Sequence, residues 1–139
     1  MNIGVDVKGT SEKGDFARSH SETRWTQQRM KNLDVILDVV RIFIVPENPN
    51  TPTNQTVMHN SRLLAVIIQL ALSVDTPPFV QTACFLAAAD LINENEQLQS
   101  YVNASTVHIP SLAVSHPLVH ELLSHILDNS STNFKTYEF

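Results

Sequence analysis

WTQQRMKNLDVILDVVRIFIVPENP, residues 25–49, decides how the rest of this sequence is read. Leu33, Ile36, Leu37, Val40 and Ile44 recur at i, i+3, i+4, i+7 and i+11, which predicts one apolar face of an α-helix. Asp34, Asp38 and Arg41 fall on another face, where Asp38 and Arg41 can pair at i, i+3 for about 0.3 kcal/mol. Pro46 ends the helix, because its ring and missing N–H disrupt the turn before it. PENPNTPTNQ (46–55), with three prolines, reads as a loop.

Working outward, the same period continues. Residues 56–73 predict a second helical region with a break near Asn60–Ser61, and Leu63–Leu72 is apolar nearly all round, the mark of burial on several sides. VDTPP (74–78) interrupts it. Residues 79–93 predict a third helix, with Phe79, Ala83, Leu86 and Asp90 on one stripe and Ala87–Ala89 small enough for a neighbour to approach closely. NENEQLQSYVNA (93–104) reads as a short polar helix, 105–115 as a connection, and 117–128 as a fourth main helix built on Leu118, Leu122 and Ile126 with Val119 and Leu123. Residues 129–139 read as a turn and the start of a further, incomplete helix. Residues 1–24 are polar and non-periodic, and are expected to be a disordered tail or a loop remnant. No segment alternates with period two, so no strands are expected. The fold class is therefore all-α. Helix-breaking prolines at 46, 77 and 117 stand 31 and 40 residues apart, near the armadillo/HEAT repeat length. Pattern alone fits a solenoid and a compact bundle equally well, and the unfinished end favours the solenoid.

Composition removes many functions. The 139 residues carry a net charge of −5. Residues 1–41 hold seven Lys/Arg against six Asp/Glu, whereas 42–139 hold only Arg62 and Lys135 against eight acids. Phosphate contacts need Lys and Arg, so no nucleic-acid partner is expected. The acidic body suits a basic protein surface or is simply a solvated face. The single cysteine, Cys84, lies in an apolar run and reads as a core residue with no disulfide. No secretory signal appears at the start, so the sequons at Asn54, Asn103 and Asn129 read as chance matches. The apolar run 63–72 is half the length of a membrane span. All three glycines lie at positions 4, 9 and 14. The remaining chain therefore lacks the glycine of phosphate-cradling loops, Rossmann turns and nucleophile elbows.

HPLVHELLSH (116–125) holds three of the six histidines and resembles a zinc-protease helix. That helix needs histidines at i and i+4, but His120 and His125 are five apart and their rings would diverge by roughly 140°. His116 and His120 have the right spacing. Pro117 between them suits the first helical position, which makes His116 the expected N-cap, outside the helix. His108 could join only through a loop. The sequence thus nominates no catalytic residue, no cofactor and no metal ligand.

The opening stretch resembles a segment in the globular head of the general vesicular transport factor family, the golgin-type tethers of endoplasmic-reticulum-to-Golgi traffic. Trp25, Asn32-Leu33, Leu37, Val40-Arg41, Pro46 and Asn48-Pro49 carry the likeness. It continues more loosely through MHNSRLLAVIIQLAL and 79–92, and returns at Tyr101 and Val102-Asn103-Ala104. The resemblance implies an armadillo-like helical repeat (α-solenoid) fragment over 25–139, of about two to three repeats. It also implies a non-enzymatic vesicle-tethering role, cytoplasmic and peripheral on Golgi membranes. The partners it implies are a Rab GTPase, Golgi matrix proteins and SNAREs, with homodimerisation through a coiled-coil tail absent here. Its motifs transfer no contact residues; Lys31, Asp34 and Asp38 on the first helix are the exposed polar positions. Two other readings stand beside it: a helical-repeat adaptor of another pathway, and a small metalloenzyme using His116, His120 and His125.

Overall fold

A computed structural model describes residues 25–109 and 112–127. The expectations for 1–24 and 128–139 lie outside the described residues. Six helices are present among them: α1 (Gln27–Phe43), α2 (Thr51–Asn60), α3 (Leu63–Leu72), α4 (Pro78–Ile92), α5 (Glu96–Ala104) and α6 (Leu118–Leu127). Two short strands, β1 (Thr106–Ile109) and β2 (Val114–Pro117), separate the last two helices.

α1 starts where Thr26 accepts a hydrogen bond from the Arg29 N–H at 3.2 Å, which satisfies one of the free donors of the first turn. Its C-terminus is closed by the chain that follows. Asn54 donates to the Phe43 carbonyl at 2.8 Å and Thr51 to the Val45 carbonyl at 2.6 Å. Asn48 accepts from the Asn50 N–H at 2.9 Å, an Asx turn. The loop is shorter than the prolines suggested, because α2 begins at Thr51. Pro52 sits in the first turn, where a helix needs no N–H, and so it starts the helix instead of preventing it. The break between α2 and α3 falls where it was expected, at Ser61–Arg62, with Arg62 in the left-handed region at φ 67°.

α4 is the central element. It packs most extensively on α3 and next on α1. The core joins Leu37, Val40 and Ile44 of the first segment to Leu64, Ile67, Ile68, Ala71 and Leu72 of α3 and to Val80, Cys84, Ala87 and Leu91 of α4. Three sequence expectations are corrected here. The inward stripe of α4 is Val80–Cys84–Ala87–Leu91, one residue on from the predicted set, and Phe79 and Leu86 are exposed. α4 is apolar almost all round, so its neighbours and not its own period choose the inner face. Ile36 likewise is exposed, because α1 meets essentially one neighbour and buries a narrow stripe. Arg41 does not pair with Asp38; it reaches across to Asp90 of α4.

The connection 105–115 is a fourth correction. β1 and β2 pair antiparallel with Thr106 opposite Pro117, Val107 opposite His116, His108 opposite Ser115 and Ile109 opposite Val114. Each strand has four residues, too few for an alternating pattern to register. Val107 is fully buried and anchors the hairpin to the core. The Leu118 N–H donates to the Ser105 carbonyl at 2.9 Å and joins the end of α5 to the start of α6.

Candidate functional site

Two features stand out on this scaffold. The first is the outer face of α1. Val35, Ile36, Val39, Ile42 and Phe43 are 47–65% exposed and recur at i, i+1, i+4, i+7 and i+8, which is one helical face. α1 therefore carries two apolar faces, one in the core and one open. Scattered exposed apolar residues are ordinary, but a row along a single helix marks a contact surface. Of the polar positions named from sequence, Lys31 and Asp38 are exposed and Asp34 is half-buried. At the other end of the structure Leu123, Ile126 and Leu127 of α6 are also open. Between α3, α4 and α6 runs an apolar cleft of about 150 Å³, lined by Ile68, Phe85, Ala89, Leu122 and Ile126 among others. It offers no polar group to orient a substrate.

The second feature is the histidine cluster. Helix α6 begins at Leu118, so His116 is not its N-cap; it lies in β2, opposite Val107. The strand runs straight into the helix through Pro117, and this brings His116 beside His120. Their rings stack with centroids 6.0 Å apart and planes 14° apart. Glu121 is 3% exposed, and its Oε1 stands 3.9 Å from Nδ1 of each histidine. Both distances exceed hydrogen-bond length, so the carboxylate faces two ring nitrogens without closing a bond to either. Ligand atoms of all three residues lie within 4.8 Å of one another. His125 is elsewhere, 6.4 Å from the Phe85 ring, and His108 meets the Ser115 hydroxyl at 3.3 Å. The divergence of His120 and His125 was legible from spacing. The partnership with Glu121 was not, because it depends on a strand-to-helix junction that periodicity does not show.

Cys84 is fully buried in the core, as expected, and burial pushes its thiol up to about 11. A neutral, enclosed thiol is a poor nucleophile. His59 and Tyr101 meet edge to face at 4.4 Å beside a polar hollow that Arg62 also lines. No acid or second base among its lining residues completes a catalytic set there. No helix among the described residues is long and apolar enough to cross a membrane.

Comparison with known proteins adds to this geometry. The armadillo tether-repeat of vesicular transport factor matches residues 22–78, a stretch that contains α1, α2 and α3. The intracellular protein transport protein USO1 of Saccharomyces cerevisiae (strain ATCC 204508 / S288c) is 30% identical over 94 residues, or 68% of this chain. The chain spans about 5% of the length of that relative. No solved structure matches significantly.

Proposed function

We propose that this chain, whose residues 22–78 belong to the armadillo tether-repeat family of vesicular transport factor, is a segment of a vesicle tether that works by protein–protein contact and not by catalysis. The observation that carries the proposal is the match over α1–α3, on which the open apolar face of α1 lies. A tether needs extended surface, and a stack of helices supplies it without a substrate pocket.

The helix order supports a repeat. α2 and α5 start at Thr51 and Glu96, 45 residues apart, which is the length of an armadillo unit. α2, α3 and α4 form one three-helix unit in this reading. α1 precedes this unit, and α5 and α6 follow it, giving about two to three repeats. α4 touching both α1 and α3 is the contact pattern such a stack requires.

The step is endoplasmic-reticulum-to-Golgi transport, with the parent protein peripheral on Golgi membranes. A Rab GTPase, Golgi matrix proteins and SNAREs are the partner classes. The relative's description as an intracellular protein transport protein supports this. The test uses the full-length parent carrying Val35→Ser, Val39→Ser and Ile42→Ser together. The same changes in the 139-residue chain should leave its folding normal by circular dichroism, since these residues lie outside its core, and in the parent they should abolish capture of a Rab GTPase and Golgi association in cells. Unchanged capture and localisation would remove α1 from the contact surface. Absence of the wild-type parent from Golgi membranes would remove the tether itself.

A further inference from the structure

We propose that His116, His120 and Glu121 form a zinc site that clips β2 to α6. The residues come from two elements. His116 is the penultimate residue of β2, while His120 and Glu121 occupy the first turn of α6. Pro117 joins them with a fixed φ, so the three side chains converge without a flexible linker. Two imidazoles and one carboxylate are the nitrogen and oxygen donors of a borderline cation such as Zn²⁺, not of calcium or magnesium, which take oxygen.

The geometry is close to a bound site. Tetrahedral zinc with bonds near 2.1 Å holds its ligand atoms about 3.4 Å apart. Both histidine-to-carboxylate distances are 3.9 Å, and no pair among the three ligand atoms exceeds 4.8 Å. Small rotations of two partly exposed rings close the gap. Glu121 supplies the independent observation. A carboxylate with 4% of its side chain exposed, aimed between two ring nitrogens and bonded to neither, is a charge placed for a cation. Three protein ligands leave a fourth position for water. Binding would fix the junction between hairpin and helix, because the metal spans both. The site is independent of the tether reading and rests only on these residues.

The experiment titrates the purified, tag-free 139-residue chain with ZnCl₂ in competition with a zinc-responsive dye. The expected result is one zinc per chain. His116→Ala, His120→Ala and Glu121→Gln should each weaken binding at least tenfold, whereas His59→Ala, outside the three-residue cluster, should not change it. Zinc should also raise the thermal midpoint of the wild type and of His59→Ala, but not of His120→Ala. His120 is 66% exposed in its side chain, so its replacement leaves the fold intact. Wild-type affinity equal to that of the His116→Ala/His120→Ala double variant would overturn the proposal. So would equal weakening by His59→Ala, which would mean diffuse histidine binding.

Discussion

Gln55 of α2 is a buried amide that ties α2 to the turn between α4 and α5. It is 2% exposed; its Nε2 donates to the Asn93 carbonyl at 2.9 Å, and its Oε1 accepts from Asn95 Nδ2 at 3.0 Å. Asn95 in turn caps α5 through the Leu98 N–H at 3.1 Å. Gln55→Leu would keep the bulk but take these partners from the Asn93 carbonyl and the Asn95 side-chain amide, so urea denaturation should show a loss of about 1–3 kcal/mol. Glu94, next to this network, holds φ 53°. A non-glycine residue there costs about 1 kcal/mol, so Glu94→Gly should raise stability by about that amount in the same assay. Cys84 sets a pH dependence. Its folded thiol is raised from 9.0 to about 11. Above pH 9 the unfolded chain loses this proton while the folded chain keeps it. The stabilising contribution is therefore complete below pH 9 and is lost as pH rises through 11, by at most about 3 kcal/mol. Cys84→Ala should flatten that part of the stability-versus-pH curve, as measured by denaturation at pH 8, 9 and 10.

Among elements, α1 and α4 are joined by apolar contact and by one ion pair. Arg41 and Asp90 are each about 40% exposed in their side chains, which places the pair in the weak class. A double-mutant cycle with Arg41→Ala and Asp90→Ala should give a coupling below about 1 kcal/mol that shrinks in added salt. The apolar stripe Leu37–Val40–Ile44 dominates this contact. Asn48 and Asn54 now have a physical account: the Asx turn and the carbonyl cap end α1 and aim α2. The sequence displayed these residues, but their role needs the folded path of residues 43–54.

Among the described elements, the all-α class, a break near Asn60–Ser61 and a short helix within 93–104 were legible, because each is written in local spacing or in a breaker. The helix faces were legible only where one side was polar. In α4, apolar on most sides, the choice between Val80–Leu91 and Phe79–Leu86 belongs to the neighbours α1 and α3. The hairpin escaped because strands of four residues are too short for an alternating pattern to register. The histidine cluster escaped with it, since the junction between β2 and α6 creates the site. Burial also predicts where the fold is vulnerable. Leu91→Ala, at a position with no exposure, should cost about 2–5 kcal/mol. Leu127→Ala, 81% exposed, should fall within about 0.5 kcal/mol. Chemical denaturation of the two variants checks the contrast.

The hairpin between α5 and α6 has a consequence for shape. In a stack of repeats, pitch and curvature accumulate from the small rotation at each junction. A paired ribbon with Val107 driven into the core is a stiff spacer, unlike a slack loop. In the stack proposed above, it would set the angle of the α5–α6 junction. Shortening the ribbon in such a stack would redirect the helices that follow α5 without touching the open face of α1.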